Sequence, residues 1–152
     1  MALVTGVFWG TWFTLTRSIE DFSAAEFIHI GKTIIENLAM PMRIIMPSCV
    51  VLVILSAWIY PDKKSAGFSF SVAACLLIVI TLLVTLLIEV PIDHQIKTWT
   101  ASSLPSDWQS IRDRWQFFHT VRTFTSLASF ASLALAVVFK KQERLNRKQV
   151  KS

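Results

Sequence analysis

At 152 residues the chain has the length of one domain, and its 53% hydrophobic content is too high for an ordinary soluble domain. The net charge of +5 is no sign of nucleic-acid binding, because six of the fifteen basic residues crowd into residues 140–152 with Glu143 as the one acid among them, the usual charged flank of a last membrane helix. With only four glycines and five prolines, and with β-branched residues in long runs instead of alternation, helices are favoured over a barrel. Cys49 and Cys75 lie in apolar runs with no Cys-x-x-Cys spacing, which argues against thiol-redox chemistry and for inert thiols.

The first helix is expected over residues 2–18. Its uncharged part ends at Thr16 and reaches about 24 Å, short of a bilayer core of about 30 Å. The N-terminus has no basic region and no small-residue cleavage site, so the segment reads as a retained helix. Gly6 and Gly10 form a Gly-x-x-x-Gly pair continued by Thr14, a ridge expected to pack closely on another helix. Ser23 and Glu26 make a capping box, so a second helix should start there and run amphipathically through His29, Lys32, Glu36 and Arg43 before turning apolar over residues 44–60. Pro41 and Pro47 should bend it.

A tight loop over residues 61–67 precedes the clearest spanning segment, residues 68–88, which is uncharged throughout. Pro91 should stop or kink it after Glu89, leaving a short amphipathic piece to Thr100. Ser106 and Gln109 read as a second capping box for a long fourth helix, polar to Arg122 and apolar to Phe139. The expectation is therefore an all-α integral membrane four-helix bundle, with helices two and four extended beyond the bilayer on the non-cytoplasmic side. It comprises one domain over residues 1–139 and a basic cytoplasmic tail over residues 140–152. Four passes place both termini on one side, where Lys63, Lys64 and the tail give eight basic and two acidic residues against seven and eight on the other. The positive-inside rule makes that side cytoplasmic, in a plasma (inner) membrane.

Residues 87–126 concentrate the chemistry. Trp108, Arg112, Trp115, His119 and Arg122 recur at spacings of 4, 3, 4 and 3 and so share one helical stripe. A stripe half aromatic and half cationic needs partners inside a bundle, and Glu89, Asp93 and Glu36 are the candidates. Two readings stand: an ion-pair network at the membrane surface, or an outward-facing pocket. A metal would find ligand types in Glu36, Glu89, Asp93, His94 and His119, but no tight Glu-x-x-His or His-x-x-x-His spacing unites them, and no resident metal or cofactor is expected.

Pro91-Ile-Asp93, Trp99, Pro105-Ser-Asp-Trp108, Arg112-Asp-Arg114-Trp115 and His119-Thr-Val-Arg122 together resemble the C-terminal signature of the anthrone-oxygenase-like family of small four-helix membrane proteins. The first helix and residues 37–41 match its first half more weakly, and position 93 is more often asparagine in that family. The resemblance implies O₂-dependent oxidation of a hydrophobic polyphenolic aromatic without a recognised cofactor. Such an enzyme needs a base near neutrality, a cation for the developing anion and a dry pocket. His119 is the expected base and Arg122 or Arg114 the anion stabiliser, with Asp93 orienting an imidazole. Trp108 and Trp115 would stack on an aromatic ligand, and Asn37, Glu36 and His94 would complete the binding set. The alternative is a non-enzymatic module that binds a lipophilic ligand or a membrane partner through the same patch. The partners are thus the lipid bilayer and a small hydrophobic aromatic ligand, with no nucleic acid. A single cysteine placed at Ser152 should react with a membrane-impermeant maleimide only after the membrane is opened; labelling of intact cells would overturn the orientation.

Overall fold

The computed structural model describes residues 1–100 and 102–149, all of whose regular structure is helical. Helix α1 (Ala2–Thr14) leads through a 3₁₀ turn (Thr16–Asp21) to α2 (Ala24–Trp58). Helix α3 (Ala66–Val84) continues through a π-turn (Thr85–Glu89) into α4 (Val90–Thr98), and α5 (Trp108–Gln149) closes the bundle. Three helical stretches, Ala24–Trp58, Ala66–Thr98 and Trp108–Glu143, are long and apolar enough to cross a membrane, which marks an integral membrane protein. Helix α1, at 13 residues, packs against α2 and α5 and ends before Thr16, earlier than expected. Residues 140–149 continue α5, and the last three residues of the expected tail lie outside the described part.

The first capping box is formed in full. The Ser23 backbone N–H donates to Glu26 Oε2 at 2.9 Å, and the Glu26 N–H donates back to Ser23 Oγ at 3.4 Å. The second is not. Among the described residues neither Ser106 nor Gln109 makes a side-chain hydrogen bond, and α5 opens on a turn in which the Trp108 N–H donates to the Pro105 carbonyl at 3.3 Å. Helix α2 runs unbroken through Pro41 and Pro47. At its far end Lys63 caps it, donating to the Trp58 carbonyl (2.6 Å) and to the Ala57 carbonyl (2.9 Å), which also accepts the Tyr60 N–H at 3.2 Å.

Pro91 does not end the third pass. The Val90 N–H bonds to the Thr85 carbonyl, five residues back, so the turn before the proline is widened at the point where its ring would meet the Leu87 carbonyl of a regular helix. The helix therefore carries on to Thr98.

The bundle is apolar outside and partly hydroxylic inside, as lipid demands. Leu52, Ile59, Leu76, Leu87 and Val137 point outward, whereas Ser71, Thr81, Thr123, Ser126 and Ser129 are buried. The hydroxyls bind across helices: Ser129 Oγ donates to the Ala74 carbonyl at 2.7 Å, Thr81 and Thr125 share a bond of 2.8 Å, and Thr5 Oγ1 reaches the Ser126 carbonyl at 3.4 Å. Small residues on α5 let α3 and α1 come close in this way. The Gly-x-x-x-Gly ridge does not take that part. A Cβ at Gly6 or Gly10 would meet nothing within 4 Å, so this face of α1 looks away from the bundle. The close approach is instead at Gly67, whose missing side chain leaves room for the Tyr60 ring, while a Cβ at Gly31 would make an ordinary contact of 3.5 Å with Ile96.

The core falls into two clusters. One gathers Val4, Phe8, Met46, Cys49, Val53, Ala74 and Ile78, and the other Ile19, Phe27, Ile92, Ile96, Trp99 and Trp115. Cys49 and Cys75 are free thiols. Ser129→Leu should cost about 1–3 kcal/mol by forcing α3 and α5 apart, whereas Ser129→Ala should cost under about 1 kcal/mol; unfolding in detergent measures both, and equal losses would mean that the hydrogen bond, not close packing, governs this contact.

Candidate functional site

Between the two core clusters lies a cavity of about 280 Å³ walled by all the membrane-crossing passes and by α1. Phe8 and Thr11 come from α1, Ile34 to Pro47 from α2, Leu82, Thr85, Leu86, Asp93, His94 and Lys97 from the third pass, and Trp115, His119 and Arg122 from α5. Most of the wall is aliphatic. The polar groups sit chiefly on α4 and α5, because the spacings 115, 119 and 122 turn those three side chains to one face of α5 and the π-turn sets the rotation of α4.

The centre of the polar wall is Arg122. Its Nη2 lies 3.0 Å from Glu89 Oε2, forming an ion pair in which Glu89 is 0% exposed. The same guanidinium donates from Nε (3.1 Å) and Nη2 (2.7 Å) to His119 Nδ1, and its carbon sits 4.7 Å from the centre of the Phe8 ring. Arginine has only donors, so Nδ1 of His119 accepts and the imidazole proton is carried on Nε2. That nitrogen is buried without a hydrogen-bond partner among the described residues; the Phe8 carbonyl interacts with the ring but completes no bond. His119 is 1% exposed and held on three sides, stacked on Trp115 at 5.0 Å and 13°, edge-on to Phe8 at 6.3 Å, and pinned by Arg122. Trp115 in turn donates its Nε1–H to Asp93 Oδ1 at 3.2 Å. Glu89, Arg122, His119, Trp115 and Asp93 thus form one continuous chain of contacts. Its weak point is Glu89, whose oxygens are paired in charge with Arg122 but have no partner in hydrogen-bond geometry.

The expected site residues divide. Asp93, His94, Trp115, His119 and Arg122 line the cavity. Trp108 does not: it packs on Phe27 at 5.9 Å, with Arg112 above its ring at 5.4 Å and Arg112 paired to Asp113 at 2.8 Å, a cluster at the outer end of the bundle. Arg114, Glu36 and Asn37 are exposed and outside the cavity wall. Among the described residues no three His, Cys, Asp or Glu side chains converge on a point where one ion could bind. Arg43, Lys97, Phe8 and Met46 line the cavity without having been singled out. For Arg43 a signal existed, a lone cation one residue before a long apolar run.

A family model described as anthrone oxygenase matches residues 37–132, which covers α2 from its middle, the whole third pass and α5 beyond the polar wall. The chain belongs to the anthrone oxygenase family. The matched region contains every charged residue and both histidines of the cavity. No curated protein and no solved structure matches the chain.

In this member of the anthrone oxygenase family, removing one half of the buried pair strands the other. Glu89→Leu should destabilise the protein by about 3–5 kcal/mol, while Glu89→Leu combined with Arg122→Met should recover most of that loss; denaturant unfolding in detergent decides, and additive losses would show that the two side chains are not coupled.

Proposed function

We propose that the protein is a membrane oxygenase that oxidises a hydrophobic, polyphenolic aromatic with O₂ inside the cavity. The observation that carries this reading is an apolar cavity with a guanidinium, an imidazole, an indole and a carboxylate linked along one wall, in a chain of the anthrone oxygenase family. For an anthrone-type ring the balance is a methylene plus O₂ giving a ring carbonyl plus water. The substrate supplies all four electrons, one oxygen atom enters the product and the other leaves in water. No further reductant is required. What remains for the protein is to remove the methylene proton, hold the resulting enolate and keep bulk water away.

The bonds of His119 favour a division of labour. With Arg122 occupying Nδ1, the Nε2–H faces a substrate as a donor, suited to the carbonyl oxygen on which negative charge grows, with the guanidinium behind it. Asp93 is then the proton acceptor, held in place by the Trp115 indole. Trp115 and Phe8 supply flat walls for a ring system. The enolate would react with O₂ to a hydroperoxide. Loss of the second methylene proton and cleavage of the O–O bond would then give the carbonyl and water.

With α1 counted as a short fourth crossing beside the three long ones, the positive-inside balance supports a cavity that opens towards the non-cytoplasmic side of a plasma (inner) membrane, with both termini and the Lys63 loop in the cytoplasm. A second reading is supported by the aliphatic majority of the cavity wall: a module that binds a lipophilic ligand without converting it. Oxygen uptake with anthrone in bilayer discs, corrected for the protein-free rate, separates the two. The expected result is one O₂ consumed per anthraquinone formed, with Asp93→Asn lowering kcat about 10²–10⁴-fold and leaving anthrone binding nearly unchanged. A wild-type protein that binds anthrone and leaves it unoxidised would sink the oxygenase and leave the binding module.

A further inference from the structure

The cavity is a slot more than a pit, and its charges are one-sided. Helices α2 and α4 run antiparallel beside it, their level fixed by Gly31 against Ile96 and by the Lys32 Nζ bond of 2.6 Å to the Trp99 carbonyl. The α2 wall from Ile34 to Pro47 therefore extends for about 20 Å along the helix axis. Its open edge carries exposed residues of two kinds. Leu86, 53% exposed, and Pro47 belong to the apolar belt, whereas His94 and Lys97 lie on the amphipathic α4. Arg43 stands on α2 just before the apolar run that begins at Ile44. One side of the slot thus faces lipid and the other the water interface.

Among the side chains lining this slot, Arg43, Lys97 and Arg122 are cationic and Asp93 is the one carboxylate. Arg122 is already paired with Glu89, whereas Asp93 accepts from the neutral Trp115 indole and keeps its charge, which Lys97 meets from one helical turn away. Arg43 and Lys97 make no hydrogen bond and no ion pair within 4 Å among the described residues, although both are exposed at the edge of an apolar cavity. An unpaired guanidinium at the edge of the hydrocarbon region is costly, and charge of one sign along low-dielectric walls concentrates ligands of the other sign. Midway along the same wall the buried Nε2–H of His119 offers one more donor without an acceptor. Donors and cations thus outnumber the one carboxylate on the wall of the slot.

We propose that the slot selects an acidic ligand, a fused-ring body bearing a carboxylate or an ionised phenol, and that Arg43 and Lys97 are the residues that read its charge. This rests on the cavity being the ligand site, and it deepens that reading by naming the ligand's charge. The ligand's ring lies along the aliphatic wall, its anion meets a cation at the open edge, and its inner oxygen takes the His119 donor. Entry is sideways from the bilayer past Pro47 and Leu86, the route open to a molecule that partitions into lipid by its rings and stays at the interface by its charge. The two cations act before any chemistry, so their effect appears in binding and not in the oxidation step.

The test uses a ligand that cannot be oxidised further. Quenching of the protein's tryptophan fluorescence measures binding of anthraquinone-2-carboxylate and of its neutral methyl ester to the full chain in phosphatidylcholine discs. The acid should bind at least tenfold more tightly than the ester, and Arg43→Gln combined with Lys97→Gln should bring the acid to the ester's affinity. The single variants show which cation carries more of the preference. Equal binding of acid and ester by the wild type overturns the charge selection while leaving the cavity reading intact, and no binding of either overturns both. A preference that survives the double variant removes Arg43 and Lys97 from the role. Discs containing phosphatidylglycerol supply the competing anion: if that lipid displaces the acid at equal protein stability, the cations read a headgroup, and the proposal fails.

Discussion

A guanidinium inside a helix bundle has to be surrounded by acceptors, and much of the upper half of this protein is arranged around the one on Arg122. Glu89 meets its charge, His119 Nδ1 takes two of its hydrogens and the Phe8 ring faces its carbon. These partners come from the third pass, from α5 itself and from α1. A single side chain thereby fixes how three helices stand relative to one another at the level of the cavity. The same contacts set the tautomer of His119, so the electrostatic requirement of the arginine determines what the imidazole presents to a ligand.

Below that level the forces change. The lower bundle is joined by hydroxyls and by close backbone approach, with aliphatic side chains turned to the lipid. Lipid gives no advantage to burying a leucine, so the inward positions go to residues that pack tightly or bond. Serine and threonine on α5 therefore hold the scaffold, and the charged chain above them can be built on a firm base.

The spans, the first capping box and the stripe on the last helix were legible because each rests on local spacing: apolar length for a span, Ser-x-x-Glu for a cap, and intervals of three and four for a face. Trp115, His119 and Arg122 do meet in the cavity, and Glu89 does pair with the stripe. Where the stripe leaves the cavity was not legible. Trp108 and Arg112 obey the same periodicity, yet Phe27 and Asp113 hold them in a separate cluster. The same limit explains Glu36, Asn37 and Arg114, whose residue types suit a site but whose rotation about their helices turns them outward. Gly6 and Gly10 have the spacing of a seam, but spacing does not say which helix, if any, lies opposite. Pro91 does not stop the pass for a different reason, since a stop assumes a regular helix before the proline and a π-turn removes the clash.

That π-turn has a consequence for how such a protein can diverge. One extra residue in a helix rotates everything beyond it by about 100°. Asp93, His94 and Lys97 follow the turn, whereas Ala74, Ile78 and Thr81, which grip the rest of the bundle, precede it. Loss or gain of a single residue between 85 and 89 would swing the polar half of the pass to another face while the anchoring half stayed seated. The helix thus has a dial in it, through which one codon could replace the set of side chains shown to a ligand without repacking the membrane-embedded scaffold.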